Sequence, residues 1–312
     1  MAGRILVTGG AGFIGSTVVD AFLEAGWDVA VVDDLSSGRR ENVPPAARLY
    51  PCDVRSAAAA EVVLAERPTV LCHHAAQIDV RRSMTDPRHD ADVNLGGLLN
   101  LMQAAAKAGV EHVLFASSGG AMYGETDRIP TPEGTPPQPV SHYGAAKAAS
   151  ELYLGVYRAT YGIPFTALRY ANVYGPRQDP HGEAGVVAIF CGRLLEGRPC
   201  TIYGDGGQTR DYVFVGDVAR ANVLAAERRL DAALNVGTGV ETDVNALYGH
   251  LARAAGVDRP AEHAPARAGE QRRSCIDPVA AAATLGWRPE TRLADGLART
   301  FEWFRERRAR GA

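Results

Sequence analysis

The chain has 312 residues, 46% of them hydrophobic and 22% charged, and its formal net charge is −3. This composition excludes a disordered or fibrous protein, and the length is long for one hydrophobic core and ample for two lobes. A net charge this small gives no electrostatic case for nucleic acid or an anionic membrane as a partner.

The N-terminal segment and the cysteines predict a cytoplasmic protein without a membrane anchor. The apolar run that begins at Ile5 ends at Gly9, which is too short for a signal peptide, and no apolar stretch approaches the ~18 residues that span a bilayer. The cysteines form no Cys-x-x-Cys pair, so we expect reduced thiols and neither disulfides nor a metal site. They are Cys52, Cys72, Cys191, Cys200 and Cys275.

In chain order, short apolar runs alternate with segments of helical spacing over the first half of the chain. We predict strands over Ile5–Thr8, Val29–Asp33, Leu49–Val54, Val70–Ala75 and Val113–Ser117. We predict helices over Phe13–Ala25, Ser56–Arg67, Asp90–Ala108 and Tyr143–Tyr161. This alternation predicts an α/β fold with a Rossmann-like doubly wound parallel sheet.

The character of the chain changes after Pro176, where the loops become richer in glycine and proline. We therefore predict a Rossmann domain over residues 1–175 and a smaller C-terminal α/β lobe over residues 176–312 that carries the second ligand site. A later segment, about residues 211–240, is expected to return strands and helices to the first domain. The charged segment Phe301–Ala312 is interpreted as a helix end that faces solvent.

Three glycines, Gly9, Gly12 and Gly15, follow the first predicted strand at the point where the first helix opens. Glycines at this spacing permit a tight turn and a close approach of the backbone to a pyrophosphate. The helix begins with Phe13 and Ile14, and its N-terminal N–H groups and dipole favour phosphate. The segment therefore predicts a dinucleotide-binding turn.

The next predicted strand ends at Asp33, 24 residues after Gly9, where an acceptor for ribose hydroxyls is required. A carboxylate at this point repels a 2′-phosphate, so it favours NAD over NADP. Arg39 and Arg40 argue mildly for NADP, but they can equally face solvent. We predict NAD as the cofactor.

Two further strand ends are candidate cofactor contacts. Asp53 and Val54 follow the third strand, and they either hold the adenine or form only a turn. The fourth strand ends in His74-Ala75-Ala76-Gln77, where small residues let a backbone approach the cofactor. The side chains of His73 and His74 are interpreted as packing rather than as chemistry.

Tyr143 and Lys147 are four positions apart, so they share one face of a predicted helix. An ammonium beside a phenol favours the phenolate and lowers the pKa of the tyrosine, which makes Tyr143 a candidate base near neutral pH. Ser117 and Ser118 end the preceding strand, where a hydroxyl can bridge the tyrosine and a substrate hydroxyl. We expect this group to exchange a proton with a substrate hydroxyl.

Together these motifs resemble the extended short-chain dehydrogenase/reductase family, and the resemblance runs through nearly the whole chain. Residues 115–124 and 168–176 are similar to the serine-rich strand end and to a later active-site segment of its UDP-glucose 4-epimerases. The resemblance implies Tyr143, Lys147 and Ser118 as catalytic groups. One residue more than usual precedes Tyr123, so Ser117 stays an alternative to Ser118.

The resemblance also implies further binding residues. The additional cofactor contacts that it implies are Asp34, Ser37, Gly38, Asn94 and Tyr170, together with Tyr143 and Lys147. The substrate contacts that it implies, besides Ser118 and Tyr143, are Asn172, Val187, Arg210, Arg267 and Glu270, with Arg272 and Arg273 as rivals for the phosphate. No metal is implied.

The implied activity is that of an NAD-dependent isomerase that inverts C4 of a UDP-hexose, of the UDP-glucose/UDP-galactose type, through a transient 4-keto sugar. Dehydratases of the family carry acidic residues where Gly119 and Gly120 stand, which argues against dehydration and decarboxylation. A UDP-glucuronate 4-epimerase stays open, since Arg81, Arg82 or Arg177 can meet a sugar carboxylate. A non-catalytic NAD-binding regulator is disfavoured, because the tyrosine and lysine are both present. The resemblance further implies a homodimer formed through the two longest predicted helices.

Overall fold

The computed structural model describes residues 3–180, 185–266 and 271–310. Its strands are β1 (Arg4–Thr8), β2 (Asp28–Asp33), β3 (Arg48–Pro51), β4 (Val70–His73), β5 (His112–Ser118), β6 (Phe165–Tyr170), β7 (Asn172–Tyr174), β8 (Thr201–Tyr203), β9 (Thr209–Phe214), β10 (Ala232–Val236), β11 (Glu241–Asp243), β12 (Glu262–Ala264) and β13 (Arg273–Ser274). Its α-helices are α1 (Phe13–Glu24), α2 (Ala57–Glu66), α3 (Val80–Thr85), α4 (Pro87–Ala91), α5 (Gly97–Ala108), α6 (Gly119–Met122), α7 (His142–Tyr161), α8 (Val186–Leu195), α9 (Val215–Arg228), α10 (Val244–Ala255), α11 (Val279–Leu285) and α12 (Leu293–Ala309).

A seven-stranded sheet forms the larger part of the molecule, with strand order β10-β6-β5-β4-β1-β2-β3 and parallel pairing throughout. The predicted Rossmann-like α/β fold is thereby confirmed. The direction of strand succession reverses between β1 and β4, and in such sheets ligands bind outside the carboxyl ends of the strands at that point. The topology therefore places a binding crevice at the ends of β1 and β4.

Apolar side chains cover both faces of this sheet, as its parallel pairing requires. On one face α1 packs against α9, with Phe22 and Trp287 buried between helix and strands. On the other face α2 packs against α5, with Leu98, Met102 and Leu154 buried. The strands at the centre of the sheet are buried on both faces, and their carboxyl ends are held in fixed positions.

The predicted helix Asp90–Ala108 is present and begins slightly earlier, at Pro87. Helical backbone runs through α4, a π-helical turn over Asp92–Gly96, and α5, so the prediction missed only the π-turn. The turn directs the side chain of Asn94 onto the backbone of Gln77, where it makes two hydrogen bonds. Single π-turns inside helices frequently occur at functional sites, and this one lies beside the β4 end.

The later part of the chain builds a second unit around β9, which pairs with β7, β11 and β13. Its core is formed by α8, α10 and α12, with Phe301 and Phe304 buried in it. The interpretation of Phe301–Ala312 as a helix end that faces solvent was therefore wrong for Phe301 and Phe304, which are buried. Between β9 and α10 the chain returns to the large sheet, which α9 covers on one face and β10 extends at its edge.

The cysteines are all free thiols, and four of them are buried. Within the three described stretches, no group of three or more His, Cys, Asp or Glu side chains is arranged to hold a metal ion. None of the helices in these stretches combines the length and the apolar character needed to cross a membrane.

Candidate active site

A cleft of about 1980 Å³ opens at the carboxyl ends of the central strands, and side chains from both units line it. It brings together most of the residues that the sequence singled out. The predicted residues that line it are Gly9, Gly12, Phe13, Ile14, Gly15, Asp33, Asp34, Ser37, Asp53, Val54, His74, Ala75, Ala76, Gln77, Ser117, Ser118, Tyr143, Lys147, Tyr170, Asn172 and Arg210.

The glycine turn between β1 and α1 has no room for side chains. Gly9 has a positive φ of 68°, which favours glycine. A Cβ on Gly15 would lie 2.1 Å from the carbonyl oxygen of Gly9, so the helix and the turn touch through bare backbone. Gly12 caps α1 without a side-chain acceptor, and the first N–H groups of the helix remain available to an anion in the cleft.

Asp33 lies at the end of β2 and fixes the loops around it. Its carboxylate accepts hydrogen bonds from the backbone N–H groups of Ala11 and Leu35, each at 2.9 Å. Burial raises the pKa of Asp33, while these two hydrogen bonds act to lower it. Gly38 does not line the cleft. It packs against Asp33, since a Cβ on Gly38 would lie 2.7 Å from the Asp33 carboxylate. The loop thus closes tightly over the acid that was predicted to receive ribose hydroxyls.

The possible adenine end of the cleft carries Asp53 and the buried Val54. Asp53 forms an ion pair with Arg55, with Nη2 and Oδ2 2.5 Å apart. This hydrogen bond holds the pKa of Asp53 below its usual range. Asp53 therefore remains charged and its position is fixed by a partner two residues along the chain.

The two histidines at the β4 end are neutral, with His73 buried and His74 half-buried at the wall of the cleft. Burial lowers the pKa of His73 and of His74 to about 3, with the charge of Lys147 acting in the same direction. His74 stacks on Tyr170, and its Nε2 lies 3.1 Å from the tyrosine hydroxyl. Asn222 donates to the same hydroxyl at 2.8 Å. These contacts agree with the interpretation of both histidines as packing residues.

Asn94 lies behind the cleft rather than in it. Its side-chain oxygen accepts from the Gln77 N–H at 2.9 Å and its amide donates to the Gln77 carbonyl at 3.0 Å. The same amide donates to Asp90, a buried carboxylate that also accepts from the Gln77 side chain. Asn94 therefore positions the cleft-lining Gln77 and has no direct access to a ligand.

Tyr143 and Lys147 face the end of β5 from α7. The Lys147 ammonium donates to the Ala116 carbonyl at 2.8 Å and lies 5.8 Å from the centre of the Tyr143 ring. Burial raises the pKa of Tyr143 to about 12, opposed by a hydrogen bond with Ser118, and lowers the pKa of Lys147 to about 8. The expected lowering of the Tyr143 pKa is therefore not found in the protein alone, where burial raises it and the nearby Asp90 carboxylate acts in the same direction. A positive charge brought into the cleft would favour the phenolate.

The structure separates the two candidate serines. Ser118 lines the cleft with Tyr143, and its hydroxyl acts to lower the pKa of that tyrosine while it accepts from the Ala121 N–H at 3.2 Å as the cap of α6. Ser117 instead donates to Glu151 Oε1 at 2.6 Å and is 3% exposed. Ser118 is the serine aligned with the tyrosine, and the alternative of Ser117 as a catalytic hydroxyl is not supported by this geometry.

The side of the cleft formed by the second unit carries Asn172 and Arg210. Arg210 donates to the Thr209 carbonyl at 2.8 Å. The two rival arginines are in exposed ion pairs, Arg272 with Asp205 and Arg273 with Glu241. Neither rival lines the cleft.

Val187 is the one predicted substrate contact among the described residues that does not line the cleft. Val187 is buried in α8, and it is the neighbouring Gly185 that lines the cleft. Arg267 and Glu270 lie outside the described residues.

Some cleft residues were missed by the sequence reasoning. Trp303 and Arg307 reach the cleft from α12, and Met84 reaches it from α3. Arg177 had been considered only for a sugar carboxylate, yet it pairs with Asp20 of α1 at 2.8 Å and joins the two units. Nothing local in the sequence marks these residues, because only the folded chain brings the helices to the cleft.

Comparison with known proteins shows that the chain belongs to the NAD-dependent epimerase/dehydratase family. Residues 5–237 match the model of the NAD-dependent epimerase/dehydratase family. A UDP-glucose 4-epimerase of Mycolicibacterium smegmatis is 48% identical over 97% of this chain and 99% of that protein. Among solved structures, a Thermotoga maritima UDP-glucose 4-epimerase with UDP-glucose has a TM-score of 0.95 at 46% identity, over 97% of this chain and 99% of that one. A Thermus thermophilus UDP-glucose 4-epimerase with NAD has a TM-score of 0.93 at 47% identity, with the same coverage.

Proposed function

Because the chain belongs to the NAD-dependent epimerase/dehydratase family, we propose that it is an isomerase that interconverts UDP-glucose and UDP-galactose with NAD as its cofactor. The observation that carries this proposal is the contact of Tyr143 with Ser118 and Lys147 inside the cleft that also contains the glycine turn. One cleft thus holds a proton-transfer group beside a dinucleotide-binding turn, as an epimerase requires.

The residues of the cleft fit NAD. The uncapped N-terminus of α1 suits the pyrophosphate, and the absence of side chains at Gly9 and Gly15 lets the backbone approach it. Asp33 keeps acceptor capacity for a ribose and disfavours a 2′-phosphate. Bound there, NAD would supply a reversible acceptor for the sugar's hydride, so that no net oxidation would result.

In the proposed mechanism Tyr143, as the phenolate, takes the proton of the sugar 4-hydroxyl, directly or through Ser118. Loss of this proton and of the C4 hydride leaves a 4-keto sugar, which turns in the cleft while its diphosphate stays anchored by groups such as Arg210. The hydride returns to the opposite face and Tyr143 returns the proton to the new hydroxyl. Lys147 holds the phenolate by its charge and fixes β5 through Ala116.

The test is incubation of the purified protein, with no added reductant, with UDP-glucose, UDP-N-acetylglucosamine and UDP-glucuronate separately, followed by NMR of the products. We expect UDP-glucose to yield its 4-epimer without an accumulating keto sugar. A Tyr143→Phe protein is the control. Conversion of UDP-glucuronate alone would identify a different substrate, and a keto or decarboxylated product would contradict the reaction type.

We also propose a homodimer formed across α7. Leu152 and Val156 are four positions apart on this helix and are 76% and 58% exposed, and Met84 of the adjoining α3 is also exposed. Apolar side chains grouped on one face favour burial against a second copy. Light scattering is expected to give a dimer for the wild type and a monomer for Leu152→Glu/Val156→Glu. A monomeric wild type at micromolar concentration would contradict this.

A cytoplasmic location is part of the same proposal, supported by the five free thiols. Fractionation of the source cells tests it. Recovery of the protein outside the cytoplasm, with its thiols oxidised, would argue against it.

A further inference from the structure

A second polar cluster lies behind the catalytic group and takes no part in the mechanism described above. Its centre is an ion pair between Glu151 of α7 and Arg169 of β6, both about nine-tenths buried. The contact is bidentate, with Nη2–Oε2 at 2.6 Å and Nε–Oε1 at 3.0 Å. Buried ion pairs are weak evidence for stability, since their desolvation often offsets their attraction. A pair retained at this place therefore calls for another explanation.

Glu151 belongs to the same row of α7 as the catalytic pair, four residues after Lys147 and eight after Tyr143. The last three residues of β5 contact this row one after another. The Ala116 carbonyl accepts from Lys147 at 2.8 Å, and the Ser117 hydroxyl donates to Glu151 at 2.6 Å. Ser118 lines the cleft together with Tyr143, and its hydroxyl acts to lower the pKa of that tyrosine. The hydrogen bond from Ser117 to Glu151 thus fixes the end of β5 between Ala116 and Ser118.

Arg169 extends the cluster to the segment after the catalytic serine. Its register partner in β5 is Ser117, and its Nη1 donates to the hydroxyl of Tyr123 at 2.8 Å. Tyr123 directly follows α6, the short helix that Ser118 caps, and its hydroxyl donates to Asn235 of β10 at 2.9 Å. The pair therefore holds the chain on both sides of Ser118.

We propose that Glu151 and Arg169 are positioning residues for epimerisation, which act through Ser117 and Tyr123 to hold the Ser118 hydroxyl against Tyr143. This inference rests on the function proposed above. The ion pair sets where the end of β5 lies along α7, and without it the serine hydroxyl loses its alignment although the fold persists. Burial lowers the pKa of Lys147, and the negative charges of Asp90 and Glu151 oppose that lowering.

Ser117→Ala is the mildest test, because it removes the link to β5 and leaves the ion pair intact. We expect kcat for UDP-glucose to fall about tenfold, with KM and bound NAD within twofold of the wild type and the same unfolding temperature. A purely structural hydroxyl would lower the unfolding temperature and spare kcat. A kcat within twofold of the wild type overturns the proposal.

The pair itself is tested by comparing Glu151→Gln with Glu151→Leu/Arg169→Met. The single change leaves a buried guanidinium without its counter-charge and is expected to destabilise the protein, whereas the apolar pair restores packing. We expect the double variant to recover the unfolding temperature but not kcat. Recovery of both would contradict a positioning role. Asp231→Asn is the control, since it breaks the exposed ion pair between Asp231 and Arg158 of α7 and is expected to leave kcat unchanged.

Crystal structures of the wild type and Ser117→Ala provide a readout that does not depend on the substrate. The positioning role requires the Ser118–Tyr143 hydrogen bond to be lost or lengthened in the variant, and an intact bond overturns it. A wild-type protein that does not epimerise any of the three sugars would refute the proposed function instead. The two failures are therefore distinguishable.

Discussion

Replacing Gly15 by alanine tests whether the contact of α1 with the glycine turn sets the affinity for NAD. The new Cβ would lie 2.1 Å from the Gly9 carbonyl oxygen and 2.8 Å from its carbonyl carbon. Contacts of Cβ atoms below 3.0 Å essentially do not occur, so the turn must retreat by at least 0.9 Å. Both contact atoms are backbone, and no side chain can move aside to relieve the strain.

Overpacking of this kind costs about 1–3 kcal/mol. If the strain is relieved by displacing the turn, the N–H groups that face the pyrophosphate move with it, and the cost appears in binding. Each 1.4 kcal/mol is tenfold in Kd, so we expect the Kd for NAD to rise roughly 5- to 150-fold. The protein should also purify with less bound NAD.

The assay is calorimetric titration of NAD into protein stripped of its cofactor, together with thermal unfolding. Gly249→Ala in α10 is the matched control, since no atom lies within 4 Å of its added Cβ. The control should bind NAD as the wild type does. A Gly15→Ala protein with wild-type affinity would refute the steric reasoning, as would equal losses in both variants.

Three further predictions concern the proton-transfer group, an acid-sensitive ion cluster and a strained arginine. Tyr143→Phe should lower kcat by about 10²–10⁴ with bound NAD unchanged, which NMR of the products and a cofactor assay measure. The hydrogen bond with Arg48 lowers the pKa of Glu66 below 4.5, so the pair stabilises the fold above that pH and loses its effect as the pH falls. Arg48→Met should therefore flatten the pH dependence of the unfolding temperature below pH 4.5. An unchanged slope in this variant would contradict the prediction. Arg177 has φ 71°, so Arg177→Gly should be more stable in urea than Arg177→Ala by roughly 1 kcal/mol, although both lose the pair with Asp20.

The features that could be predicted from the sequence are those written in adjacent residues. The glycine turn, the acid at the end of β2 and the Tyr143–Lys147 spacing are each contained in a single strand–turn–helix unit or one helix face. Periodicity likewise identified most of the sheet, and the edge strand β10 was anticipated only as part of a broad later segment. Sequence predicts an element well where the hydrophobic periodicity of its segment is pronounced.

The rest of the site depends on contacts between distant parts of the chain. Ser117 and Ser118 are equivalent in sequence, and only the position of Glu151, 34 residues later, distinguishes them. The π-turn at Asn94 arises from hydrogen bonds to a backbone segment 17 residues earlier, so helical periodicity could not reveal it. Burial raises the pKa of Tyr143, and the degree of burial is a property of the folded cleft.

The return of the chain to the large sheet has a consequence for synthesis on the ribosome. When residue 175 has been made, six strands of the sheet exist, but the helix α9, the edge strand β10 and Trp287 have not yet emerged. One apolar face of the nascent sheet is then covered only by α1, and the strand β6 has an open edge. The first half of the chain therefore cannot complete its core until most of the polypeptide has been translated. A fragment cut at residue 175 would expose apolar surface and an unpaired strand edge, both of which favour aggregation.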